Sequence, residues 1–250
     1  MEDAMTTTER LDQALHGVIP PLITPLNEDG TLDESSFRTQ LRRCLDAGCS
    51  GVFVSGSTGE GPWLTAEQRR RAVELAVESE TVVLAGVMLP GTSMTREAAV
   101  DAAQAGADAV VVSAPYYFGA DDRTIVQHVE SIAASVDRTI VLYNIPQLTH
   151  NPMSAPVVQE LAGNPAVIGI KDSSGDMDLF RAHLRVAEQT SSFRVLQGAH
   201  SEMRASLLLG AHGLVPGLAN VFPALFVGLL NAVREQDEAR GTAVQHHIGA

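Results

Sequence analysis

Lys171 closes the apolar run AVIGIK, and a lysine at the end of a buried strand is energetically out of place. An ammonium taken out of water without a partner is costly, so such a group either pairs with a carboxylate or gives up its proton. The first outcome would be an ion pair, with adjacent Asp172 as a candidate, or a side chain that snorkels out to solvent. The second would leave a free amine able to condense with a carbonyl compound as a Schiff base. An ordinary lysine, with a pKa near 10.4, is neutral in only about one molecule in a few thousand at pH 7. Desolvation that lowered the pKa by about three units, roughly 4 kcal/mol, would make a usable nucleophile.

Tyr143 stands 28 residues earlier (171 − 143), at the end of the run IVLYN. A phenol beside an amine can shuttle protons to and from a carbinolamine; the alternative is a core tyrosine with a satisfied hydroxyl. The stretch GSTGEG, Gly56 to Gly61, lets successive N–H groups converge into a small anion nest. Ser57 and Thr58 add hydroxyl donors suited to a carboxylate or a developing alkoxide. An ordinary turn is the other reading of this stretch. Tyr116 and Tyr117 follow another apolar run, in APYY.

These residues recur at similar places in a larger pattern. Short apolar runs begin near Val18, Gly51, Thr81, Asp108, Thr139, Val167, Phe193 and Gly213. Near-continuous apolarity marks parallel strands buried on both faces. Amphipathic segments lie between them. Phe37, Leu41, Cys44 and Leu45 fall at helical spacing after Asp33, a capping residue, and Thr65 with Gln68 has the spacing of a capping box. Further helices are expected from Ser93, Asp122, Ser154, Gly175, Ser201 and Phe222. Eight such units predict an α/β fold, a (β/α)8 TIM barrel, with active groups at the C-terminal ends of its strands. A short helical extension would follow at the C-terminus. One domain is expected over residues 1–250, with the barrel core at about 17–235. An open doubly wound sheet is the structural alternative, but no GxGxxG follows the first run. On the barrel reading, Tyr143 and Lys171 end neighbouring strands on one rim.

Bulk properties narrow the field. The 250 residues are 45% hydrophobic and carry a formal charge of −13, which disfavours nucleic acid and anionic membranes as partners. Residues 1–16 are polar and read as lacking a signal peptide, so a cytoplasmic protein is expected. The uncharged run after His212 is interrupted by Pro216, Asn220 and Pro223, which predicts a strand, a loop and an apolar helix rather than a membrane span. Cys44 and Cys49 read as half-buried free thiols on one helix. The eight histidines show no HExxH pairing, and no GxSxG or GxxxxGK motif is present, so no metal is expected. NEDG at 27–30 reads as a turn.

GSTGE at 56–60, PYY at 115–117, YNIP at 143–146 and IKDSSGD at 170–176 resemble the dihydrodipicolinate synthase/N-acetylneuraminate lyase family, in order and spacing, from about Gly17 to about Arg234. The resemblance implies class I pyruvate chemistry with no cofactor beyond the covalent lysine Schiff base. Lys171 would carry the imine. Tyr143 would relay protons, assisted by Thr58 or Ser57. Gly56, Ser57 and Thr58 would hold the pyruvate carboxylate, with Gly198 and Val215 lining the pocket. A tyrosine matching Tyr117 reaches into a neighbouring subunit's site in family members, implying a homo-oligomer, a dimer or tetramer.

Departures from the family pattern bear on the aldehyde partner. Leu148 stands where dihydrodipicolinate synthases usually place a carboxylate-binding arginine, and losing such a clamp costs on the order of several kcal/mol. The acidic pair of sialic acid lyases is absent after Gly198, where Ala199, His200 and Ser201 follow. The KDSSGD loop is closer to sugar-acid aldolases. The expectation is a pyruvate-dependent aldolase or lyase acting on a 2-keto-3-deoxy sugar acid or similar 2-keto acid. A dihydrodipicolinate-type synthase and a catalytically silent keto-acid-binding barrel are its rivals. Relatives usually continue into further helices beyond the point that corresponds to Ala250.

Overall fold

The computed structural model describes residues 5–249. Seven of the eight apolar runs form strands: β1 (Gly51–Val54), β2 (Val82–Gly86), β3 (Ala109–Ser113), β4 (Thr139–Asn144), β5 (Val167–Asp172), β6 (Arg194–Gln197) and β7 (Gly213–Leu214). They lie parallel in one sheet, in sequence order from β1 to β7. β1, β2 and β3 are buried along their whole length, as expected for strands covered on both faces.

The first run departs from expectation. Residues 18–22 make only isolated bridges, because Pro20 and Pro21 have no N–H to donate to a ladder. The segment nevertheless bonds on both sides. The Ile19 N–H donates to the Leu214 carbonyl at 2.8 Å, and the Leu22 N–H donates to the Phe53 carbonyl at 2.9 Å. The Pro20 carbonyl accepts from the Phe53 N–H at 2.9 Å. Both edges of the sheet are therefore tied to one stretch of chain.

Helices follow the strands. In chain order they are α1 (Thr7–Leu15), α2 (Glu34–Asp46), α3 (Ala66–Val77), α4 (Thr92–Gln104), α5 (Asp122–Ala133), α6 (Pro146–Thr149), α7 (Ala155–Ala162), α8 (Met177–Gln189), α9 (Met203–Leu208), α10 (Pro223–Arg234) and α11 (Glu238–Gly249). The expected caps form: Asp33 accepts from the Ser36 N–H at 3.0 Å, and Thr65 and Gln68 make a reciprocal capping box. The polar start of the chain hides α1, which Thr6 and Glu9 cap in the same way and which buries Leu11, Ala14 and Leu15. Residues 1–4 of that stretch lie outside the described residues.

Two apolar layers result. The larger fills the space between sheet and helices; the smaller lies on the opposite face and includes Ile19, Phe53, Leu84, Val111, Val141, Tyr143, Leu196 and Val215. Leu11, Ala14 and Leu15 of α1 join this inner layer. Both cysteines are fully buried, and Cys49 lies beyond the end of α2, so the expectation of two half-buried thiols on one helix is corrected. Burial pushes the Cys49 thiol up to about 12. The uncharged run after His212 becomes β7, a 3-10 turn at Gly217–Asn220 and α10. Among the described residues no helix is long and apolar enough to cross a membrane. NEDG is a turn, closed by the Gly30 N–H donating to the Asn27 carbonyl at 2.9 Å.

Candidate active site

Strand periodicity aims the key side chains. Along β4 and β5, alternate residues face opposite sides, and Tyr143 pairs in register with Lys171 while Asn144 pairs with Asp172. Tyr143 and Lys171 turn to the inner layer; Asn144 and Asp172 turn to the helices.

Lys171 is the only lysine in the chain. It is 5% exposed, with its Nζ 4.0 Å from the centre of the Tyr143 ring and 5.0 Å from that of Phe53. Among the described residues no carboxylate comes within ion-pair reach of it. Adjacent Asp172 is committed elsewhere. It accepts from the Ser174 N–H at 2.7 Å and the Asn144 amide at 3.3 Å, and lies 2.9 Å from the His183 ring. Burial works to raise the Asp172 pKa, but these hydrogen bonds and His183 outweigh it and hold the carboxyl below its usual range.

Tyr143 is 3% exposed and packs edge-on against Phe53 at 6.1 Å. Its hydroxyl accepts from Ser57 Oγ at 3.4 Å. Burial alone would raise the phenol's pKa. The positive charge of Lys171 and hydrogen bonds with Ser57, Lys171 and Ser173 prevail and bring it below the ordinary tyrosine value.

The GSTGEG loop follows β1 and needs its glycines for close approach. A Cβ on Gly61 would lie 1.8 Å from the Ser55 carbonyl oxygen, and one on Gly56 would lie 2.9 Å from the Phe53 ring. Ser57 is half-buried and meets Tyr143, whereas Thr58 is exposed, its hydroxyl facing Gly217. Gly198, just after β6, provides room for the lysine stem: a Cβ there would stand 2.9 Å from Lys171 Cε and 2.1 Å from Ser173 Oγ. Val215 is 1% exposed in the inner layer, its N–H donating to the Gln197 carbonyl at 2.9 Å.

Two predicted site residues sit further out. Tyr117 is 84% exposed with φ at +83°, edge-on to Phe118 at 5.0 Å. Leu148, on α6, is exposed and lines a cavity of about 580 Å³ with Ser57, Tyr116, Met88 and Ile145. The structure thus brings Lys171, Tyr143, Ser57 and Gly198 together. Tyr117 remains exposed, its recorded ring contact being with Phe118.

Two further side chains at the site, Ser173 and His200, carry no role in the sequence pattern. Ser173 touches the phenol, and its only sequence signal is its place two residues after Lys171. His200 is half-buried, its Nε2 accepting from the Leu218 N–H at 3.3 Å; burial, then the charge of Lys171, lowers its pKa. Asp172, read earlier as a possible lysine partner, instead anchors the outer face of the two strands. Among the described residues no group of three or more His, Cys, Asp or Glu side chains is arranged to hold a metal ion.

A buried amine beside a phenol of lowered pKa, with a hydroxyl loop at the same end, is an arrangement for carbonyl condensation and proton transfer. Comparison with known proteins agrees. The dihydrodipicolinate synthetase family model matches residues 14–249. A DapA-like lyase of Halobacterium salinarum is 38% identical over 237 residues, covering 94% of this chain and 77% of that protein. The crystal structure of YagE, a prophage protein of the dihydrodipicolinic acid synthase family from E. coli K12 in complex with pyruvate, is 32% identical. It covers 93% of this chain and 80% of its own, with a TM-score of 0.89. The 2-keto-3-deoxygluconate aldolase of Picrophilus torridus is 28% identical, over 92% of this chain and 83% of its own, with a TM-score of 0.86. The chain is a member of the dihydrodipicolinate synthetase family.

Proposed function

We propose that the protein is a class I, pyruvate-dependent aldolase or lyase acting on a 2-keto-3-deoxy sugar acid or similar 2-keto acid. The observation that carries this reading is the buried, carboxylate-free Lys171 amine 4.0 Å from the Tyr143 ring. The amine attacks the keto carbon, water leaves, and a protonated imine forms. Cleavage of the C3–C4 bond sends its electron pair into the imine, giving an enamine, while Tyr143 takes the hydroxyl proton of the departing aldehyde. Protonation of the enamine and hydrolysis return pyruvate and the free lysine. Ser57 passes the proton on from Tyr143, and Thr58 and Gly56 hold the carboxylate with the Ser57 backbone. Gly198 and Val215 shape the pocket. No cofactor is needed, because the imine itself is the electron sink.

The seven-stranded sheet with residues 17–22 bonded to both its edges is read as a closed (β/α)8 barrel, one domain over residues 1–250 with its core at about 17–235 and α11 as a C-terminal extension. The charge of −13 supports a small-molecule substrate rather than a nucleic-acid or membrane partner, and the cytoplasm is the proposed location. The exposed Tyr117 supports a homo-oligomer, a dimer or tetramer, in which that ring enters a neighbour's site.

A condensing synthase of the dihydrodipicolinate type has the family description in its favour. Against it, Leu148 offers no charge to a second carboxylate. A silent barrel would have no use for Lys171, Tyr143 and Ser57 assembled in contact. A panel of 2-keto-3-deoxy acids, with released pyruvate as the readout, tests the proposal. Turnover of one or more supports it; activity confined to pyruvate plus aspartate semialdehyde would replace it with the synthase.

A further inference from the structure

Residues 115–120, between β3 and α5, keep Tyr116 half-buried, its hydroxyl donating to the Met88 carbonyl at 3.2 Å, and leave Tyr117 and Phe118 to solvent. Tyr117 and Phe118 are 84% and 79% exposed, and Tyr117 adopts φ +83°, a left-handed conformation disfavoured for an aromatic residue. A strained, exposed loop keeps one shape only when something else fixes it. Asn151, on the next βα connection, is 5% exposed and spends its side chain on this loop alone. Its Nδ2 donates to the Pro115 carbonyl at 2.7 Å and the Phe118 carbonyl at 2.9 Å, while its Oδ1 accepts from the Ala120 N–H at 2.9 Å. Three contacts from one planar amide bracket Tyr117 on both sides. Asn151 is itself held: its carbonyl accepts from the Thr149 hydroxyl at 3.1 Å.

We infer that Asn151 is a positioning residue that presents Tyr117 to the active site of a second copy of this chain. The inference rests on the reading of Tyr117 as a residue that works in a neighbour's site. It adds the device that holds the ring there. Three hydrogen bonds at the base of a six-residue loop replace the packing that an exposed tip lacks. Because the loop serves a partner's lysine, Asn151 acts on chemistry performed by the other chain.

Hybrid oligomers test this directly. Chains with Asn151→Ala and chains with Lys171→Ala are co-expressed with different tags and the mixed species isolated. In a mixed dimer the Asn151→Ala chain keeps its lysine and receives an intact loop from its partner, so half of the sites are complete. Turnover is expected to be low in each homo-oligomer and to rise to about half of the wild-type value per mixed dimer. The Asn151→Ala homo-oligomer is expected to keep the borohydride-trapped pyruvate adduct, to lose about tenfold or more in kcat with KM for the keto acid little changed, and to exchange the Ala120 amide hydrogen faster. Asn151→Asp, which keeps the oxygen for Ala120 but loses both donations, serves if the alanine variant does not assemble. Hybrids of Tyr117→Phe with Lys171→Ala run in parallel. Rescue there without rescue for Asn151 overturns only the role given to Asn151. Rescue in neither overturns the trans reading of Tyr117 and this inference with it. Unchanged kcat in Asn151→Ala also overturns it.

Discussion

Tyr143 and Lys171 are register partners on adjacent parallel strands, and the lysine nitrogen sits 4.0 Å from the centre of the phenol ring. The pairing is a consequence of the ladder between β4 and β5, so it is as rigid as the sheet. Tyr143→Phe keeps the ring and removes the hydroxyl. That hydroxyl meets Ser57 at a long 3.4 Å and also bonds Lys171 and Ser173, so the variant should lose about 1–2 kcal/mol of stability. Its kcat should fall by about 10²–10⁴-fold with pyruvate trapping retained. Steady-state kinetics beside a urea titration separates the two; a variant of unchanged kcat would remove Tyr143 from the proton path.

The same residue sets a pH dependence. The Tyr143 phenol is held below its ordinary value, chiefly by the Lys171 charge acting against burial, so the limb of kcat that reports its ionisation should lie below pH 10 in the wild type. That limb should be absent from Tyr143→Phe.

Gly198→Ala should abolish adduct formation more than it disturbs the fold. Its methyl would stand 2.9 Å from Lys171 Cε and 3.2 Å from the Asp172 carbonyl oxygen, and the backbone cannot rotate away. Overpacking of this kind costs about 1–3 kcal/mol, which circular dichroism and thermal melting would register as a modest loss. Wild-type rates of pyruvate trapping in the variant would show that the stem has more room than the geometry allows.

Asp172 links stability to pH. Its native pKa lies below the unfolded value, so its contribution is fully present above about pH 4 and is lost as pH falls through the native value. Asp172→Asn should be less stable by about 2–4 kcal/mol at neutral pH, since the 1% exposed Asp172 loses the anion that Asn144, Ser174 and His183 surround. The gap between wild type and variant should narrow as pH is lowered through that range. Denaturant midpoints measured from pH 3 to 7 would show this, and a gap independent of pH would contradict it.

Leu148→Arg probes the second substrate. The side chain is 57% exposed on α6, so stability should change by less than about 0.5 kcal/mol. A guanidinium on a carboxylate is worth about 1.5–3 kcal/mol, roughly ten- to a hundredfold in kcat/KM. That gain should appear with aspartate semialdehyde and not with uncharged aldehydes. Equal changes for both would mean that Leu148 does not face the second substrate.

Much of this architecture was legible in the amino-acid order. The recurring apolar runs placed seven strands within a residue of their starts, and the 28-residue interval put Tyr143 beside Lys171, because parallel units repeat at that length. The run at Val18 misled only in its ladder, since its two prolines allow edge contacts but not a full set of donors. α1 carries its own signals, a Thr6–Glu9 capping box and Leu11, Ala14 and Leu15 at helical spacing, but it precedes the first apolar run and so falls outside the repeating strand-then-helix pattern. Which loop hydroxyl meets the phenol, Ser57 rather than Thr58, depends on the backbone turn through Ser55 and Glu60, both at positive φ. Ser173, His200 and Asn151 escaped notice because their meaning lies in contacts between separate connections, which no local pattern encodes.

The sharpest measurement uses the fact that Lys171 has no other lysine to compete with it. Incubation with pyruvate and borohydride, followed by intact-mass and peptide mass spectrometry, should show one reduced pyruvate per chain on the peptide bearing Lys171, and none in Lys171→Arg. An unlabelled Lys171 at saturating pyruvate, or label that persists in Lys171→Arg, would contradict the assignment of this amine as the Schiff-base nucleophile.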